Sequence, residues 1–210
     1  MREVRTDKDA LLIIDVQNDF CPGGKLAVPN GDEVIAPINA LIPKFRHVIQ
    51  TQDWHPADHS SFASQHNARS EYETIELNYG TQVLWPDHCI QGTTGAEFHP
   101  ELNTVRSTAV IRKGFRAGID SYSAFLENDK TTKTGLSGLL ESIGIERVYL
   151  CGLATDFCVK WSALDATDFG FETILIKDAV RGIDLEDSVA SAFREMDDAG
   201  VSIIHSTDLR

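Results

Sequence analysis

The 210-residue chain has little basic charge. Its 19 Lys and Arg face 32 Asp and Glu, for a net charge of -13 at neutral pH. Nucleic-acid binders carry a basic patch or a basic balance, and this chain shows neither. No apolar run approaches the roughly 18 residues of a membrane span. The opening stretch MREVRTDKDALLIID carries charges and no apolar segment long enough for a signal peptide. The expectation is a cytoplasmic protein with neither nucleic acid nor a membrane as partner. Cysteine is scarce: Cys21, Cys89, Cys151 and Cys158 are the only four, and no pair has C-x-x-C spacing. A structural zinc ribbon is therefore not expected, and disulfides are rare in the cytoplasm. G-x-S-x-G, G-x-x-x-x-G-K-[ST] and G-x-G-x-x-G are all missing, so phosphate and dinucleotide binding lack local support and no organic cofactor is expected. There is no internal repeat, low-complexity tract or linker, and the length suits one domain spanning residues 1–210.

What the chain does have is an ordinary core-forming composition, 42% hydrophobic and 24% charged. Five apolar runs read as buried strands: 10–14, 47–51, 109–111, 148–150 and 173–176. A sixth, 201–204, lies near the end. All are short, β-branched and nearly continuous, the pattern of a parallel sheet covered on both faces. Helical patterns at 32–44, 136–143, 156–169 and 186–199 separate several of them. This alternation predicts a three-layer α/β/α, Rossmann-like fold with an open, mostly parallel sheet of about six strands. From about Asp53 to Leu102 the pattern breaks into a stretch rich in His, Ser, Asn, Gly and Pro. A long irregular segment inside a compact domain usually serves a function.

Chemistry-bearing residues gather at the predicted strand ends, where open α/β folds bind ligands. Asp15 directly follows the first run, and its carboxylate either caps the next turn or faces the crevice. Cys158 lies just inside a predicted helix with Thr155 or Asp156 as N-cap. A helix N-terminus favours the thiolate and offers free amides to an oxyanion; the alternative is a packing cysteine. Lys113 follows the third run. It is either a solvated residue or a cation holding a carboxylate and a thiolate, and Gly114 beside it suggests a close backbone approach. Asp53 and His55 are two residues apart on an extended exit, so both side chains point one way. With His88 they could form a two-His, one-carboxylate metal site suited to zinc, iron or manganese, or be unrelated groups on a polar loop. His59 and His66 are secondary candidates.

Five motifs occur in order: DVQNDFCPGGKLAV, TQDWHP, WPDHCIQGT, RKG and CGLATDFCV. Together they resemble the nicotinamidase (pyrazinamidase) branch of the isochorismatase-like cysteine hydrolase superfamily, from about Leu11 to Ile204. The resemblance implies an amidase that converts nicotinamide, and also pyrazinamide, through a cysteine thioester, with a role in NAD salvage. It implies a catalytic triad of Asp15, Lys113 and Cys158. One divalent metal, zinc or alternatively iron or manganese, would be held by Asp53, His55 and His88, with His59 at the place of a possible fourth ligand. That metal would orient the pyridine nitrogen. A cis peptide is implied before Ala154, with the Ala154 and Cys158 amides as oxyanion hole. Phe20, Leu26, Trp85 and Tyr122 match pocket-wall positions. Both a monomer and a homo-oligomer stay open.

Overall fold

The computed structural model describes residues 2–210. In chain order the elements are β1 (Asp9–Ile14), α1 (Ile35–Leu41), β2 (His47–Asp53), β3 (Thr74–Leu77), β4 (Gly80–Val83), β5 (Ala109–Lys113), α2 (Leu136–Ser142), β6 (Arg147–Leu153), α3 (Lys160–Asp168), β7 (Glu172–Arg181), α4 (Ser188–Asp198) and β8 (Ser202–Ile204). Six strands form one sheet in the order β5-β2-β1-β6-β7-β8, and every pairing in it is parallel. Strands β1 and β6 are buried at every position. They read as continuous apolar runs because both of their faces are covered.

Alternation along the strands builds the layers. Leu11 and Ile13 pack on one side with Ile35, Ile38 and Leu41 of α1. Ala10, Leu12 and Ile14 pack on the other with Leu136 and Leu140 of α2, Ala163 and Ala166 of α3, and Ala192 and Met196 of α4. Burying one Leu or Ile side chain contributes about 1.5–3 kcal/mol, so these two layers account for much of the driving force. The chain moves outward from β1 through β2 to β5, then from β6 through β7 to β8. The direction switches between β1 and β6, where a crevice opens beyond the strands' carboxyl ends. No helix of the described residues is long and apolar enough to cross a membrane.

The sequence reading differs from the structure in four places. The helix expected at 32–44 is an α-turned middle, Ile35–Leu41, between 3-10 turns at Gly31–Val34 and Ile42–Lys44. Pro37 fits the first turn of the α segment, where a missing N–H leaves no bond unmade. The helix expected from Asp156 starts as a π turn, Thr155–Val159, that runs into α3. The helix expected from Glu186 starts at Ser188, because Glu186 and Asp187 have left-handed backbone. The irregular segment contains an unforeseen antiparallel hairpin, β3–β4; its strands are short and largely exposed, so no apolar run marked them.

Gly152 sits in the central ladder opposite Ile14. Its φ is 112°, and a Cβ there would meet the Ile14 carbonyl oxygen at 2.1 Å. We therefore expect Gly152→Ala to lower the unfolding free energy by roughly 3 kcal/mol or more in urea titration, since both the backbone angle and the contact oppose it.

Candidate active site

Three strand ends converge on one ammonium group. Asp15 follows β1 and takes left-handed backbone, φ 47°. Thr51 of β2 holds it twice, donating from Oγ1 to Asp15 Oδ1 at 2.6 Å and accepting from the Asp15 N–H at 3.1 Å. Lys113 is the last residue of β5 and is fully buried. Its Nζ lies 2.9 Å from Asp15 Oδ2 and 3.4 Å from Cys158 Sγ. It also donates to the Ser121 carbonyl at 2.9 Å and pairs with Asp53 Oδ1. Asp53 and Lys113 are register partners in the sheet, so strand pairing itself brings these two charges together. Cys158 lies in the π turn beyond β6 and is buried.

Burial and neighbouring charge set the protonation states. Burial works against the Lys113 ammonium, but Asp15, Asp53 and Cys158 outweigh it and hold its pKa well above the usual lysine range. For Asp15, burial raises the pKa, Lys113 pulls it down, and the balance is a value of about 6. Burial pushes the Cys158 thiol well above its ordinary value, with Lys113 opposing and Asp15 adding to the rise. The expected lowering by a helix N-terminus is thus overridden by desolvation. The resting group is a thiol that needs a base. Asp15 Oδ2 accepts no hydrogen bond apart from its ion pair with Lys113, so a lone pair remains for the thiol proton.

A second cluster adjoins the first. The potential ligand atoms of Asp53, His55 and His88 lie within 4.8 Å of one another. Asp53 Oδ2 is 3.6 Å from His55 Nε2 and 4.0 Å from His88 Nε2. Each imidazole is fixed from behind: His55 Nδ1 bonds the Gly114 carbonyl at 2.8 Å, and His88 Nδ1 bonds that of Pro86 at 2.7 Å. A carbonyl accepts, so Nδ1 carries a proton on each ring and Nε2 is the atom turned toward Asp53, the orientation of metal-ligating histidines. Burial works against a charged His55 ring, but Asp53 outweighs it and raises the His55 pKa above its ordinary value. Burial and the neighbouring His55 bring His88 down to about 4, a neutral ring. One carboxylate and two imidazoles, all buried, make a donor set that suits a divalent cation. The residues fit such an ion. Gly114 explains itself here: its φ is 64°, and a Cβ would meet the His55 ring at 2.4 Å.

His59 is placed beside this cluster, its ring centroid 4.3 Å from that of His55. It forms a further group of potential ligands with His55 and Asp120. Both its nitrogens are engaged, Nδ1 with Ser61 Oγ at 2.7 Å and Nε2 with the Ile119 carbonyl at 3.1 Å. His66 bonds the Ser60 carbonyl instead and joins no ligand group among the described residues.

A narrow pocket adjoins both clusters. Phe20, Leu26, Trp85 and Tyr122 line it, together with Ala154, Cys158, Asp53, His55 and His88. The Leu153–Ala154 peptide is cis. Trp85 and Phe157 meet edge to face at 4.8 Å, and Trp85 Nε1 donates to the Tyr122 hydroxyl at 3.2 Å, so the aromatic wall is locked. The sequence reading missed Asp120, Phe157 and Ile183, which also line the cavity. Phe157 sits inside the CGLATDFCV motif and Ile183 just beyond a strand end, signals that could have found them; Asp120 had none. Gln17 was missed too. Its side chain accepts from the Asp53 N–H and donates to the Asp53 carbonyl, both at 2.8 Å, which clamps the backbone of that residue. Asp156 caps no helix, contrary to expectation. Its carboxylate turns instead to Ile183, Asp184 and Ser188.

Residues 9–208 match the isochorismatase domain family. The chain is 48% identical to a nicotinamidase of Acinetobacter baylyi, over 100% of this chain and 98% of the relative. It is similar to a solved nicotinamidase/pyrazinamidase of Acinetobacter baumanii, with TM-score 0.95 and 56% identity over 96% of this chain and 98% of that one. It also resembles a pyrazinamidase of Pyrococcus horikoshii solved in complex with zinc, with TM-score 0.78 and 37% identity over 94% and 99% of the two chains.

Replacing Lys113 by Met keeps the bulk and removes the cation, leaving Asp15 and Asp53 buried with less compensation. We expect a loss of roughly 3–5 kcal/mol in chemical denaturation at neutral pH. Adding Asp15→Asn to this variant should recover part of the loss.

Proposed function

The chain belongs to the isochorismatase domain family, and from that premise and the site geometry we propose how it acts. It hydrolyses nicotinamide to nicotinic acid and ammonia, and deamidates pyrazinamide by the same route. One observation carries the mechanism: a single buried ammonium touches Asp15 Oδ2 at 2.9 Å and Cys158 Sγ at 3.4 Å, beside an aromatic-walled cavity.

Asp15 is the base. With its pKa at about 6 it is a carboxylate near neutral pH, while Cys158 is a thiol. The thiol proton passes to Asp15 Oδ2 as Cys158 Sγ attacks the carboxamide carbon, so that negative charge moves onto the carboxamide oxygen. The backbone N–H groups of Ala154 and Cys158 receive that oxyanion; such a donor contributes about 10²–10³ in rate. Asp15 hands its proton to the amide nitrogen, the C–N bond breaks and ammonia leaves. The resulting thioester is attacked by water, whose proton Asp15 takes. The C–S bond then breaks, nicotinic acid departs and Cys158 regains its proton. Lys113 stays charged throughout and steadies whichever of Asp15 and Cys158 is anionic.

The flat ring packs among Phe20, Trp85, Tyr122 and Phe157. Asp53, His55 and His88 would hold one divalent ion, zinc by preference with iron or manganese alternatives, and when bound it supplies a Lewis acid for the pyridine nitrogen. His59 would serve as a neighbour of this set, or as a fourth ligand after releasing one hydrogen bond. This reading makes the chain a cytoplasmic enzyme of NAD salvage.

Ammonia release from nicotinamide by metal-replete protein is the direct test. We expect turnover in the wild type and a loss of roughly 10⁴–10⁶-fold in Cys158→Ala. No release by the wild type would discard the assignment, and equal turnover of benzamide would discard recognition of the pyridine. Dialysis against a chelator should lower activity at least about tenfold, with recovery on adding zinc. Full activity of protein shown to be metal-free would remove the ion from the mechanism.

A further inference from the structure

The loop after β7 holds backbone that side-chain-bearing residues adopt at a cost. Asp184, Glu186 and Asp187 have φ of 63°, 51° and 68°, in the left-handed region. Such a cluster persists only where its surroundings hold it. The holder is Asp156, which is 2% exposed. Its Oδ1 accepts from the Ile183 N–H at 3.0 Å, and its Oδ2 accepts from the Asp184 N–H at 2.8 Å and the Ser188 hydroxyl at 2.6 Å. Charge-assisted bonds of this kind are the strong ones. The loop backbone lies directly on this carboxylate: a Cβ on Gly182 would meet Asp156 Oδ1 at 2.9 Å and Val189 Cγ2 at 2.2 Å.

Asp156 therefore joins two walls of one cavity. The residues that follow it, Phe157 and Cys158, line the cavity from the π turn. Ile183, whose amide it holds, lines the cavity from the loop. One carboxylate sets how far the Ile183 wall stands from the turn that carries Cys158.

We propose that Asp156 is a positioning residue for specificity, holding Ile183 as the wall that limits the cavity to a flat, single-ring aromatic carboxamide. The proposal rests on the amidase reading above. Asp156→Asn keeps the side chain's size but turns one acceptor oxygen into a donor, which opposes at least one of the three donors facing it. Steady-state kinetics with nicotinamide compare the wild type, Asp156→Asn, Ile183→Ala and the double variant, all metal-replete. KM should rise roughly tenfold in each single variant, the scale of a lost apolar contact. The value of kcat should stay within about threefold. The double variant should be little worse than either single one, since both act on the same wall. A fall in kcat with KM unchanged, or additive effects in the double variant, overturns the proposal. Should Asp156→Asn fail to fold, Ser188→Ala removes one donor outside the cavity and should raise KM by a smaller factor; an unchanged KM there counts against the clamp. Hydrogen exchange keeps the two readings separable. Faster exchange of the Ile183 and Asp184 amides in Asp156→Asn is expected whatever the substrate, and unchanged exchange overturns the clamp. A wild type that releases no ammonia from nicotinamide overturns the amidase reading instead, and the specificity role with it.

Discussion

A buried ammonium surrounded by more carboxylate than it can neutralise organises this molecule. Lys113 is fully enclosed, yet it meets Asp15, Asp53 and Cys158 at once. An isolated charge would not survive there; desolvation would neutralise it. The pairs keep it charged, and it in turn keeps Asp53 well below the usual carboxylate range despite burial. Each partner comes from a different strand end: β1 for Asp15, β2 for Asp53, and the turn beyond β6 for Cys158. The ammonium is therefore both a tie between strands and the electrostatic centre of the candidate site.

The parallel sheet makes this arrangement available. All its strands point their carboxyl ends the same way, and the central pair β1–β6 marks the switch in chain direction. Side chains placed just past strand ends then face a common crevice. The polar stretch between β2 and β5 closes that crevice from the side. It does so largely with hydrogen bonds to backbone groups: Gln17 and Gln52 both donate to the Ala96 carbonyl, and Asp19 accepts from the Cys89 N–H. These bonds turn an irregular segment into a rigid wall carrying His88 and Trp85. The aromatic rings behind it bury each other's edges, so the cavity keeps its shape without help from regular structure.

How much of this could be read beforehand depended on distance along the chain. Asp15, Lys113 and Cys158 stood out because each ends or follows an apolar run, a local signal. Asp53 and His55 stood out by their spacing on an extended exit. The sheet and its layers followed from the alternation of strand-like and helix-like patterns. Resemblance through five ordered motifs supplied the grouping of these residues into one site. Asp120 and the role of Asp156 stayed hidden, because their partners lie far away: Gln82 reaches Asp120 across 38 positions, and Ile183 lies 27 positions beyond Asp156.

The sequence by itself determined the α/β class, the strand ends at which chemistry sits, and which residue types stand there, because periodicity and local spacing act over a few residues. Tertiary structure alone decided the protonation states and the walls. The thiol of Cys158 rests protonated because the fold buries it more deeply than a helix terminus can offset. Its turn is π-wound, and the Asp156 carboxylate beside it serves a distant loop rather than its own helix. Burial and long-range hydrogen bonding depend on how elements pack, and no local pattern in the chain encodes that packing.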